Sequence, residues 1–212
     1  MSNPVVREEE KIPAVKQSVV LILLIAIVVF VILIAKTYLV KEPTIEPVDL
    51  EIQKYNEEVA ANPDLLAPRL SLAYAYQKTG DLEKAKAHYN EALKIEEKDQ
   101  GAIYNLGVIA LEEKKVDEAE KYFKQVTEIN PNHVLGVLGL ADLYIGQKKY
   151  DLAVAALDKA LAQNARVVDL HMKKGEALEK KGDVAKAKEA YKMVVKYVPQ
   201  HAEAKAALER LK

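Results

Sequence analysis

The sequence predicts an all-α protein: an N-terminal transmembrane helix followed by an α-solenoid of helix-turn-helix repeats with capping helices. Three observations carry this. Apolar residues recur at helical spacing, marked residues return every 34 positions, and one uninterrupted apolar run, Val19 to Ala35, precedes the repeats.

The repeating unit is clearest over residues 66–99. Two amphipathic runs, 66–79 and 82–96, flank Thr79-Gly80-Asp81, where glycine supplies a turn conformation and the aspartate can cap the second helix. Ala85, Ala119, Ala153 and Ala187 then fall 34 residues apart. Leu72, Leu106 and Leu140 share a second position, which Lys174 breaks. The next position holds only Ala73, Gly107, Ala141 and Gly175, and another is bulky throughout: Tyr89, Phe123, Leu157 and Tyr191. Small residues let two helices approach closely where they cross, and the bulky residue fills the space beside the crossing.

This period and pattern resemble the tetratricopeptide repeat (TPR) family, whose units are helix-turn-helix hairpins stacked into a right-handed superhelix. Four units fit, 66–99, 100–133, 134–167 and 168–201. The family's tryptophan-like position holds Arg69, Ile103, Val137 and His171, and its terminal proline survives only as Pro131 and Pro199. Pro63 lies two periods before Pro131, so Asp49 to Asn62 reads as the second helix of a truncated leading unit (49–65), and 201–212 reads as a closing helix. Isolated hairpins cannot bury their apolar faces, so such flanking helices are expected as caps.

Formal charge is −1, from 31 basic and 32 acidic residues interleaved along the helices, which argues against nucleic acid as a partner. Cysteine is absent, removing disulfides, zinc–thiolate sites and thiol nucleophiles together. His88, His133, His171 and His201 fall on different helices, with no pair at metal-ligand spacing. They read as surface or packing residues, and no metal, other cofactor or small-molecule substrate is expected. Tyr76, Tyr89, Tyr144 and Tyr191 recur at core positions of the repeat. Ser71 and His88 would be set on opposite sides of the hairpin by the family's geometry, so no catalytic constellation, and hence no enzyme, is read.

Met1 to Ser18 is polar, contains Pro4, Pro13 and Arg7-Glu8-Glu9-Glu10-Lys11, and is expected to be disordered. Val19 to Ala35 is an unbroken run of 17 apolar residues between Lys16 and Lys36. A helix rising about 1.5 Å per residue needs about 20 residues to cross about 30 Å of hydrocarbon. Thr37 to Val40 completes that length if Lys36 snorkels, which puts the membrane helix at 19–40, with Tyr38 at the interface. A buried core helix would show a polar face, and a cleavable signal peptide would have a shorter run and a small residue where Leu33 stands. Arg7, Lys11, Lys16 and the amino terminus outweigh Lys36 and Lys41, so the amino terminus is expected in the cytoplasm and the repeats on the extracytoplasmic side. Residues 41–48, spaced by Pro43 and Pro47, read as a short semi-rigid linker.

The resemblance implies a concave groove lined by the first helix of each unit, mainly its second, fifth, sixth, ninth and twelfth residues. These are Ala67, Leu70, Ser71, Tyr74 and Gln77, then Gly101, Tyr104, Asn105, Val108 and Leu111. The third unit supplies Leu135, Leu138, Gly139, Asp142 and Ile145, and the fourth Asp169, Met172, Lys173, Glu176 and Glu179. Cochaperones of this family grip the tails of heat-shock proteins with a lysine, asparagine and arginine clamp, of which only Asn105 stands at a matching place. A groove that is apolar through three units suits a hydrophobic peptide or helix instead. The expected contacts are Leu70, Tyr74, Tyr104, Asn105, Val108, Leu135, Leu138, Gly139, Asp142 and Met172. A glycine inside a helix costs about 1 kcal/mol relative to alanine. Gly136 is read as packing against the second unit, and Gly139 as leaving room for the partner.

The function expected is that of a membrane-anchored interaction scaffold, in outline like bacterial anchored TPR proteins that assist secretion or the assembly of envelope complexes. The alternative is a permanent structural subunit of a membrane complex, held mainly through its transmembrane helix.

Overall fold

The computed structural model describes residues 25–34 and 47–212, which belong to two separate units, Met1–Glu46 and Pro47–Lys212. In the first, residues 25–34 are helical (α1), with apolar side chains such as Phe30 and Ile32 exposed. The expected tail 1–18, both ends of the 19–40 span and most of the linker lie outside the described residues. Among the described residues no helix is long and apolar enough to cross a membrane.

The second unit is a succession of helices: α2 (Pro47–Ala61), α3 (Leu66–Lys78), α4 (Leu82–Ile95), α5 (Gln100–Glu112), α6 (Val116–Ile129), α7 (Val134–Gly146), α8 (Tyr150–Gln163), α9 (Val168–Lys181), α10 (Val184–Tyr197) and α11 (Ala202–Arg210). The leading helix begins two residues before the expected Asp49. Pro47 and Val48, assigned to the linker from sequence, form its first turn, where proline's fixed φ suits a helix and its missing N–H is no loss.

Each hairpin closes in the same way. Gly80 and Gly182 adopt φ of 80° and 90° between their helices, and Lys114 and Lys148, at the same repeat position, adopt 61° and 60°. Asp81 and Asp183 then cap α4 and α10 by accepting the amides of Lys84 and Lys186, whereas α6 and α8 start at lysines without a side-chain cap. Helices α5, α7 and α11 are capped at the position before each starts its period, where Asp99 accepts from Ala102 and the Nδ1 atoms of His133 and His201 accept from Gly136 and Ala204, whereas Leu65 and Val167 give α3 and α9 no side-chain cap. Two of the histidines read as surface or packing residues are therefore helix caps.

The small and bulky positions meet as the spacing implies. Ala85, Ala119, Ala153 and Ala187 are fully buried, and Tyr89, Phe123, Leu157 and Tyr191 are almost completely so. A β-carbon at Gly175 would come 2.4 Å from the Tyr191 ring, and one at Gly107 would come 2.8 Å from that of Phe123. Burying each such large side chain contributes about 1.5–3 kcal/mol relative to leaving it in water. Tyr76, also expected in the core, is only half-buried because α2 covers it thinly, through Asn56 Nδ2 donating to its hydroxyl at 3.2 Å.

The two ends differ from the interior. In α2, Glu51 stands where the repeats have Ala85, and reaches Lys78 at 3.2 Å. Glu58 stands where they have Ala92, and no residue of α2 is buried. At the far end α11 packs on α10, placing Ala204 and Ala207 in the core. Between the third and fourth units, Lys174 replaces the buried leucine and pairs with Asp158 at 2.5 Å, while Lys181 pairs with Asp151.

Candidate partner-binding groove

First helices α3, α5, α7 and α9 touch one another in succession, whereas second helices pack mainly on first helices. The first helices therefore form the tighter, inner layer, and their outward residues line the concave face. Along it, Tyr74 and Leu135 are each 55% exposed, Asp142 is exposed, and Leu70, Tyr104, Asn105, Val108, Leu138 and Met172 are half-buried. Tyr104, Val108 and Leu138 rest on the central buried cluster, and Leu70 and Met172 on its two neighbours. Asn105 is turned inward on its own helix, donating to the Gly101 carbonyl at 3.0 Å.

Gly139 has a different reason from the one expected. A β-carbon there would stand 3.0 to 3.1 Å from the Phe123 ring. That ring is thus pressed by α5 at Gly107 and by α7 at Gly139, so the glycine makes room for the protein's own aromatic. Gly136 does pack against the second unit, since a β-carbon would come 2.4 Å from Val126 Cγ1.

The twelfth residues of the first, third and fourth units also leave the groove, whereas Leu111 of the second is exposed. Gln77 and Glu179 accept hydrogen bonds from Tyr89 and Tyr191, and Ile145 is buried with Leu157 in one cluster. The signal was in the sequence: a polar twelfth residue accompanies tyrosine, and an apolar one accompanies Phe123 or Leu157.

The fourth unit carries charge in a fixed arrangement. Lys173 Nζ lies 2.6 Å from Asp142 across the seam and 2.9 Å from Glu176. Burial works against that ammonium, but the two carboxylates prevail and hold its pKa above the ordinary lysine value. Arg210 pairs with Glu179 at 2.8 Å, and its hydrogen bond keeps that carboxyl below the usual glutamate range. A cavity of about 410 Å³ opens between α7, α9 and α11, and its lining combines the apolar Leu138 and Met172 with Asp169, Glu176, Glu203 and Arg210. Glu203 and Arg210 were missed as groove residues because α11 was read only as a cap. They lie one period beyond Asp169 and Glu176. Among the described residues no group of three or more His, Asp or Glu side chains is placed to hold a metal ion.

Tetratricopeptide repeat profiles match residues 70–134, 110–166 and 145–211. The chain belongs to the tetratricopeptide repeat family, whose repeats mediate contacts between proteins. Anaphase-promoting complex subunit 3 of Schizosaccharomyces pombe is 26% identical over 152 residues, covering 69% of this chain and 20% of that protein. Signal recognition particle subunit SRP72 of Dictyostelium discoideum is 28% identical over 141 residues, covering 62% and 19%. The chain thus spans about a fifth of the length of these curated relatives. Its fold is shared with YrrB, described as a TPR protein with an unusual peptide-binding site, at a TM-score of 0.60 and 19% identity over 76% of this chain and 82% of that one. Pseudomonas aeruginosa PilF gives 0.63 at 18% identity, over 77% and 82%. At these identities the likeness to solved structures is one of fold.

Proposed function

We propose that the protein is a membrane-anchored scaffold that holds a hydrophobic segment of a partner protein in its concave groove on the extracytoplasmic side, and so assists secretion or the assembly of a membrane or envelope complex. One observation carries this reading. In a chain that is 30% charged, the groove positions of the first three units hold a single charged residue, Asp142. A solvated face left that apolar is suited to being covered. The peptide-binding site named for YrrB supports a peptide as occupant, and the exposed apolar side chains of α1, inside the run 19–35, support the anchor.

Photo-crosslinking in cells tests the groove. A photoreactive side chain at Tyr74 should capture a discrete partner, and one at Lys121 on α6 should not; equal capture at both would remove the groove reading. Protease added to spheroplasts of a bacterial host should digest the repeats, and full protection would reverse the orientation. A second reading, a permanent complex subunit, is favoured by the curated relatives, both named as subunits of larger assemblies. Stoichiometric co-purification through high salt and mild detergent would select it.

A further inference from the structure

The concave face changes character along its length. At the second position of the repeat, Ala67, Gly101 and Leu135 are followed by Asp169 and then Glu203. An acid in the first turn favours any helix, but the first three units do without one there, so the repeat itself does not demand it. Neither Asp169 nor Glu203 has a cation within ion-pair distance among the described residues, and both are exposed at the mouth of the cavity. The cations beside them are already committed. Lys173, only 24% exposed, is held between Asp142 and Glu176, and Arg210 is held by Glu179. Among the residues lining this cavity an acidic ligand therefore finds neither Lys173 nor Arg210 free, whereas a basic one meets two carboxylates without an ion-pair partner beside the apolar Leu138 and Met172.

We propose that the partner segment is bipartite: apolar residues lie along α3, α5 and α7, and lysine or arginine side chains follow over α9 and α11, where they meet Asp169 and Glu203. This rests on the groove reading above and adds to it the charge of the occupant. Complementary charge at a rim selects partners and register more than it adds affinity.

The full chain in lipid discs is titrated with fluorescent peptides that share one leucine-rich amphipathic half and carry four lysines or four glutamates at either end, with empty discs as blanks. The better lysine peptide should bind on the order of 10-fold tighter than either glutamate peptide at low salt, as two exposed charge pairs allow. Asp169→Asn together with Glu203→Gln, both at exposed positions, should cut that preference to about threefold or less while the helical circular dichroism is unchanged, and high salt should do the same. Equal binding of all peptides, or a preference that survives the double substitution, overturns the bipartite proposal and leaves the groove reading standing. Failure of every peptide to bind overturns both.

Discussion

Tyr89 donates its phenolic hydrogen to Gln77 Oε1 at 3.0 Å, as Tyr191 does to Glu179 at the same distance. Tyr89 is 1% exposed, and burial pushes its pKa well up, so the hydroxyl depends on the fold for its partner. Gln77→Leu should cost about 1–2 kcal/mol by stranding that hydroxyl. Adding Tyr89→Phe, which reproduces the apolar pairing of the second unit, should recover most of the loss. Urea unfolding of the singles and the double checks this, and a double no more stable than Gln77→Leu would show that the pair is not coupled.

Two glycines of α7, Gly136 and Gly146, should respond to alanine in opposite senses. At Gly136 the new methyl would meet Val126 Cγ1, which belongs to a stiff, fully buried side chain. Overpacking there should destabilise by about 1–3 kcal/mol. Gly146, at the end of the same helix, has nothing within 4 Å of the added atom. Gly146→Ala should therefore stabilise by up to about 1 kcal/mol through helix propensity alone. Thermal unfolding orders the variants, and a stabilised Gly136→Ala would show that the contact with Val126 relaxes freely.

Lys148→Gly should also raise the melting temperature. A lysine at φ of 60° occupies left-handed backbone that costs an L residue about 1–2 kcal/mol, and glycine serves the same turn at Gly80 and Gly182. Greater freedom of glycine in the unfolded chain offsets part of the gain, leaving about 0.5–1 kcal/mol. A lower melting temperature would mean that Lys148 contributes through contacts that outweigh its backbone.

Mild acid should weaken the repeats through two histidines. Burial holds His88, stacked on Tyr76 at 5.5 Å, below the ordinary value of 6.5, and the charge of Arg69 adds to the effect. His133 is lowered by burial as well, although a contact with its own backbone opposes this. Since the folded state takes up these protons less readily than the unfolded chain, the stability they confer is full above about pH 6.5 and is lost as pH falls through their folded values. Protonation also removes the lone pair with which His133 caps α7. The melting temperature should decline between pH 7.5 and 5.5, and His133→Asp, which copies the Asp99 cap, should flatten that decline. An identical slope in the variant would locate the sensitivity elsewhere.

Periodicity made the hairpins legible to within a residue or two, because Ala85 and Tyr89 meet their partners inside one unit and a local pattern records a local crossing. Residues whose surroundings come from another unit were harder to read. Gly139 answers to Phe123 on the preceding hairpin, and Glu203 faces the groove only because α11 continues the inner layer. The capping role of His133 was hidden by its chemistry, since histidine is not among the usual N-cap residues, although Asp99 one period earlier marks the place. Gln77 was assigned to the groove lining because the tie to Tyr89 shows only when all four units are set side by side.

A stack of like units has no length of its own, since each hairpin offers the next the same surface it received. Glu51 ends that offer. Where every repeat keeps an alanine so that another helix can cross closely, α2 carries a carboxylate bound back to Lys78. A further hairpin grafted before Pro47 would have to break that ion pair and bury an acid to dock. A carboxylate at the alanine position thus disfavours continuation of the stack at its leading edge.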